Sequence, residues 1–197
     1  MNLFPIILFG LLLAAIAIGA YVVFIYNGLI YLRNQMGKAW ANIDVLLKQR
    51  HDMIPNLVET VKGYAAHERA TFEAVTNARV TAISSLEQGS AIAPQIARAE
   101  NALANTLKTL FAVAEAYPNL KANENFLRLQ ETLVRIENEI AERREFFNNA
   151  VNLYNIGIQR LPDVFVAHFL QFQSAVYFKA DAPDRAPVNA QFSSATN

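Results

Sequence analysis

The chain has no cysteine, which excludes disulfides, thiol chemistry, a thiolate metal site and a lipoprotein cleavage box. Nothing before Arg33 carries a charge, so all 17 basic and 17 acidic residues lie beyond Leu32 and cancel. A neutral domain lacks the basic surface that holds nucleic acid, and no nucleic-acid partner is expected. Gly and Pro number only seven each, and the abundance of Ala, Leu and Glu favours helix. Chemistry is scarce as well. There is no Gly-x-Ser-x-Gly, no phosphate-cradling glycine loop and no His-Glu-x-x-His. None of His51, His67 or His168 follows an acid by three residues, the spacing used by metal-binding helical bundles. Glu139, Glu142 and Glu145 step along one helix; Glu142 and Glu145 turn away from its apolar stripe, and such acids are usually a solvated face. The sequence shows no catalytic constellation, and neither an enzymatic activity nor a cofactor is expected.

What is present is the apolar run from Leu3 to Tyr26. A helix of about 20 apolar residues crosses a hydrocarbon core of about 30 Å, and this run is slightly longer. It reads as a membrane anchor over 1–27. A cleavable signal peptide would want a basic leader, a shorter apolar stretch and a small-residue cleavage site, and a buried core helix is seldom uncharged for so long. Gly10 and Gly19 are too far apart for a Gly-x-x-x-Gly pairing motif. Arg33 and Lys38 follow the run closely while no Lys or Arg precedes it. Positive charge favours the cytoplasmic side, so a short outside N-terminus and a cytoplasmic domain are expected.

About 170 residues beyond the anchor make one domain. Leu29, Leu32, Met36, Ala39 or Trp40, Ile43 and Leu47 lay one stripe along a helix that continues from the anchor with little or no linker. Pro55 is expected to break or kink it at Met53-Ile54-Pro55. A second helix is predicted from Leu57 through Val61, Phe72, Val75 and Leu86 to Gly89, with Ser90 as the next cap. The third has Ile92, Ile96, Ala99, Leu103, Leu107, Leu110 and Ala114, and stops at Tyr117-Pro118. The fourth carries Phe126, Leu129, Leu133, Ile136, Ile140, Phe147, Val151, Tyr154 and Ile158, a span of about 60 Å. After Leu161-Pro162-Asp163 a last helix has two stripes, Phe165, Phe169, Phe172 and Val176 beside Val166, Leu170 and Tyr177. Either it is deeply buried, or its second stripe (Val166, Leu170, Tyr177) meets another subunit or the bilayer. The bundle is expected over 28–179, with a flexible tail over 180–197.

Tyr26-Asn27-Gly28-Leu29, Arg33-Asn34, Ala39-Trp40, Ile43-Asp44-Val45 and Leu47-Lys48 resemble the opening of the LemA family. So do Ile54-Pro55-Asn56-Leu57-Val58, Val61-Lys62-Gly63-Tyr64 and His67-Glu68. A second block, Tyr117-Pro118-Asn119-Leu120-Lys121-Ala122-Asn123 with Asn125-Phe126, Arg144, Tyr154-Asn155 and Tyr177-Phe178, is similar to the same family. Phe147 and Leu161 depart from its usual Tyr and Phe but keep an apolar body. The resemblance implies an all-α protein, an N-terminal transmembrane helix followed by an antiparallel four-helix bundle with long helices. It also implies a bacterial setting, and no enzymatic activity is attached to the family as a whole.

The function expected from these features is a single-pass, membrane-anchored, non-enzymatic scaffold at the bacterial cytoplasmic (inner) membrane, forming a homo-oligomer. An adaptor or regulator of a membrane protease or signalling protein, with a membrane protein as partner, stays open beside it, as does a bundle that binds a small ligand. Asn34, Asp44, Lys48, Asn56, Lys62, Asn123 and Arg144 are candidates for polar ties between helices, because buried polar groups need partners. Arg144 falls within the stripe from Ile140 to Phe147. It is either solvated or half-buried against an acid such as Asp44 or Glu59. In the paired case Arg144→Met lowers the melting temperature of the full chain, whereas a solvated Arg144 leaves it unchanged.

Overall fold

The computed structural model describes residues 3–88 and 93–179. Six helices account for its regular structure: α1 (Leu3–Lys62), α2 (Arg69–Glu87), α3 (Ala93–Glu115), α4 (Pro118–Lys121), α5 (Glu124–Gln159) and α6 (Asp163–Phe169). The protein is all-helical, as the stripes predict, with no strand among the described residues. It forms two compact units, one built from 3–57 and 124–177, the other from 58–123 and 178–179 as far as these are described. The expected end of the second helix at Gly89, the cap Ser90, the apolar Ile92 and the tail 180–197 lie outside the described residues.

In the first unit, α1 begins with the apolar run, whose side chains are exposed from Leu3 to Phe24. It is the one helix among the described residues long and apolar enough to cross a bilayer. The run passes into a packed stripe without interruption: Ile25, Leu29, Ile43, Leu46, Leu47, Ile54 and Leu57 are buried. The break expected at Pro55 does not occur, and α1 reaches Lys62 over 60 residues, about 90 Å. Proline removes one backbone bond, but Pro55 is exposed while Ile54 and Leu57 beside it are buried. Burial of those side chains, at about 1.5–3 kcal/mol each, offsets the loss.

Helix α5 runs antiparallel to α1. Tyr154 and Ile158 cluster with Ile25 and Leu29, Phe147 meets Trp40 edge-on at 5.4 Å, and Glu137 reaches Arg50. The buried set Phe126, Leu133, Ile136, Ile140, Phe147, Val151, Tyr154 and Ile158 is the predicted stripe, with Leu129 half-buried. Gly157 joins it because a Cβ there would lie 2.7 Å from Leu32 Cδ1.

The last helix is much shorter than predicted. Helix α6 ends at Phe169, and the amides of Gln171 and Phe172 turn back to the carbonyls of His168 and Ala167. Gln171 takes the left-handed conformation, φ 56°, which closes the helix as glycine commonly does. Residues 172–177 then run as an irregular strap along α5. Tyr154 Oη donates to the Gln173 carbonyl at 2.9 Å. The Asn155 amide pairs with both backbone groups of Ala175, its Nδ2 donating to the carbonyl and its Oδ1 accepting from the N–H, each at 2.9 Å. Burial raises the Tyr154 phenol above its usual pKa, against the lowering influence of Arg33.

In the second unit α2 and α3 pack along each other. Phe72, Val75 and Ala82 on α2 and Ile96, Ala99, Leu103, Leu107, Leu110 and Ala114 on α3 are buried. Tyr117 Oη donates to Glu68 Oε1 at 3.1 Å, placing the end of α3 beside the start of α2, so the pair is antiparallel. That bond, then burial and the negative charge of Glu68, raise the Tyr117 pKa. The predicted second helix is thus two elements. Residues 57–62 complete α1, and the chain turns at Gly63–Glu68, where Tyr64 and Ala65 both donate to the Val61 carbonyl.

The strap generates a prediction. Asn155→Ala removes two hydrogen bonds, each worth about 0.5–1.5 kcal/mol. The Ala175 amide should then exchange with deuterated solvent faster by one to two orders of magnitude, about 1.4 kcal/mol per tenfold, while amides in the α2–α3 pair are unaffected. Unchanged exchange at Ala175 would show that the strap is held by its apolar contacts alone.

Candidate functional site

The polar residues expected to tie helices together divide into three groups. Lys48 Nζ donates to Asp44 Oδ2 at 2.6 Å, one turn away on α1. Lys62 Nζ donates to Glu59 Oε1 at 3.0 Å on the same helix. These are pairs within a helix rather than ties between helices, and Asn34 and Asn56 are exposed. The reading of Asp44, Lys48 and Lys62 as inter-helix ties is corrected accordingly, because side chains four or three apart meet along one helix face. Asn123 does join separate segments, its Nδ2 donating to Tyr64 Oη at 3.0 Å. Arg144 is half-buried, with its Nε and Nη2 atoms inaccessible to water. The two acids offered as its partners are engaged with Lys48 and Lys62 on α1.

The residues proposed as outward contacts on the last helix are largely satisfied within the chain. Val166 packs against the cluster of Ile25, Leu29, Tyr154, Ile158 and Ala167. Tyr177 is half-buried and its Oη donates to Asn152 Oδ1 at 3.2 Å. Leu170 is exposed, at the rim of a groove with Tyr26, Arg33 and Phe172. The most outward apolar residues of α6 are instead Phe165 and Phe169, from the stripe expected to pack inward.

A second apolar surface lies where α1 and α5 run side by side. Phe146, Leu153 and Ile156 are all exposed on α5, at spacings that keep them on one face. Phe146 and Leu153 sit one position, and Ile156 two, from the buried stripe of Phe147, Val151, Tyr154 and Ile158. Between the helices is a groove of about 570 Å³, bordered by Tyr31, Leu32, Gln35, Phe146, Asn149 and Leu153. The Arg143 guanidinium stands 5.7 Å from the centre of the Phe146 ring, a cation–π contact at its mouth. The groove offers aromatic and aliphatic walls with amides among them. This is a composition suited to seating another helix, and no three His, Asp or Glu side chains among the described residues gather as a metal would need.

Sequence reasoning missed the buried charges. Arg50 is 1% exposed, and His51, Glu100 and Asp163 are buried too. The signal was available: in an unbroken α1, Arg50 stands in the same stripe as Leu47 and Ile54, and Glu100 stands between Ile96 and Leu103. Arg50 Nη1 donates to Glu137 Oε2 at 2.5 Å. The Glu137 side chain is 44% exposed, so its carboxylate joins a buried cation to the surface. Glu137→Ala should lower the unfolding free energy by about 1.5–3 kcal/mol, the range for hydrogen bonds to charged groups. Glu137→Gln, which keeps an acceptor, should cost less. Urea unfolding of the full chain in micelles measures both; equal losses for the two variants would show that the charge, not the bond, matters.

The comparisons with known proteins agree with this architecture. Magnetosome protein MamQ 2 of Paramagnetospirillum magneticum is 26% identical over 197 residues, covering 89% of this chain and 72% of the relative. Magnetosome protein MamQ of Magnetospirillum gryphiswaldense is 24% identical over 204 residues, covering 90% of this chain and 75% of the relative. The LemA family profile matches residues 39–192, from the middle of α1 through α5, α6 and the strap. That stretch is most of the chain, and the chain belongs to the LemA family.

Proposed function

We propose that this protein is a membrane-anchored, non-enzymatic helical scaffold that self-associates at the bacterial inner membrane, with its bundle on the cytoplasmic side. The observation that carries the proposal is the exposed apolar face of α5 with the adjoining groove, held on the same helix pair as the anchor. Phe146, Leu153 and Ile156 leave this face apolar where a solitary water-soluble helix would be polar. Its base lies at Tyr31, five residues past the end of the apolar run, so copies tethered in one bilayer meet with their grooves at matching heights. Confinement to a plane raises the effective concentration and makes weak lateral contacts sufficient. Arg33 and Lys38 just past the run support the cytoplasmic placement. Kinship with proteins named for the magnetosome supports membership of an assembled cellular body.

The test is the mass distribution of the full chain extracted into nanodiscs or mild detergent. Oligomers are expected for the native sequence. Phe146→Ser with Leu153→Asp should weaken association by one or more orders of magnitude, since each fully buried apolar side chain contributes about 1.5–3 kcal/mol. A native chain that is monomeric at every concentration would overturn the self-association. If that monomer instead retained one membrane protein in constant ratio, the groove would belong to an adaptor.

A further inference from the structure

The exposed phenylalanines of α6 are not explained by packing or by the α5 groove. Leu161, Phe165 and Phe169 are 74%, 70% and 84% exposed; Phe165 and Phe169, four apart, share one face of α6, and Leu161 stands in the turn just before it. Asp163 and Ala167, on the opposite face, are buried. Hence α6 is seated by one side while its other side presents two large apolar groups outward, with Leu161 exposed just before its start.

Where this face sits along α1 decides what covers it. Ala167 and Val166 pack on Ile25 and Leu29. Leu161 and Pro162 share a cleft with Tyr21, Phe24, Ile25 and Gly28. All of these α1 residues lie at the end of the apolar run or within one turn beyond it. A hydrocarbon core of about 30 Å takes about 20 helical residues, so a span starting at Leu3 leaves the core near Val22. Tyr21 to Gly28 then stand in the headgroup layer, and α6 stands there with them.

The local composition fits that layer. Tyr21, Tyr26 and Tyr31 are exposed along this part of α1, and tyrosine is enriched at both membrane–water interfaces. Arg160 borders the same cleft and is 62% exposed, a cation at the depth of the lipid phosphates. Its Nε donates to Asp163 Oδ2 at 2.6 Å, which neutralises the acid nearest the face. An uncovered apolar face continuous with an apolar membrane span has lipid beside it by position.

We propose that Leu161, Phe165 and Phe169 form an interfacial foot that inserts between lipid headgroups beside the membrane span. The foot gives the first unit a second point of attachment and fixes its rotation and tilt about the α1 axis. The inference rests on the anchor reading given above and adds to it a contact that a single span does not require.

The absence of cysteine makes the test direct. Single Phe165→Cys, Phe169→Cys and Val45→Cys variants of the full chain carry one nitroxide label each, in vesicles of phosphatidylethanolamine and phosphatidylglycerol. Val45 is exposed far along α1 and serves as the aqueous reference. Relative to a water-soluble nickel chelate, oxygen should relax the labels at 165 and 169 several-fold more effectively than the label at 45. Replacing Leu161 and Phe169 by Ser should raise the chelate's access at 165. If the chain resists an alkaline wash of the vesicles yet the labels at 165 and 169 match the one at 45, the foot is overturned and the anchor stands. If the chain washes off, the anchor fails and the foot with it. Label-to-label broadening at 165 that disappears on dilution with lipid would assign the face to a second copy and overturn the lipid contact.

Discussion

The packing of α5 against the single helix α1 is the constraint from which the rest of the first unit follows. One helix carries both the membrane-length run and the stripe that holds α5, with no loop between them. A joint there would let the bundle swing; a continuous helix transmits the orientation of the span to Trp40, Ile43 and Leu47. The contact is tight where it begins, since Gly157 leaves room for Leu29 and Leu32. Close approach at that point brings α6 and the strap onto Ile25 and Leu29, and so sets which side chains stand beside the end of the apolar run.

Much of this was legible because helix periodicity is local. The stripes of α3 and α5 are buried nearly residue for residue as read, and the continuity of the apolar run into the rest of α1 follows from the absence of any proline between Tyr26 and Pro55. The misreading at Pro55 arose because a proline's cost of about 3 kcal/mol was weighed without the tertiary burial on either side of it. It had a second consequence. A break at Met53-Ile54-Pro55 separates Arg50 from Ile54, whereas in the unbroken helix Arg50 falls in the core stripe with Leu47 and Ile54 and donates to Glu137. The turn at Gly63, where the chain does leave α1, carries the glycine that usually marks such an end.

The short α6 was not legible, for a different reason. Its end depends on Gln171 adopting a conformation normally given to glycine, and the strap beyond depends on side chains of α5. Asn155 satisfies the backbone of Ala175 from twenty residues away, a pairing that no local pattern encodes. Phe165, Phe169, Phe172 and Val176 keep helical spacing by coincidence: two are on α6 facing outward and two are on the strap. Once the helix is cut at Phe169, the face assigned to packing and the face assigned to partners exchange roles.

That exchange changes what the outward apolar groups can do. On a longer buried helix, phenylalanines at these positions would contribute only to the core, and the candidates for outside contact would have been Val166 and Tyr177. With Val166 in the core and Tyr177 bonded to Asn152, the first unit is left with two separate apolar surfaces. One stands beside the end of the apolar run of α1, and the other lies further along the helix pair, at Phe146, Leu153 and Ile156. In the proposed arrangement a foot in the headgroup layer would limit rotation of the first unit about its span, and the second surface would then be presented sideways to a neighbour with little further loss of orientational freedom. Since fixing orientation is a large part of what association costs, the proposed lipid contact would strengthen the proposed lateral one without touching it.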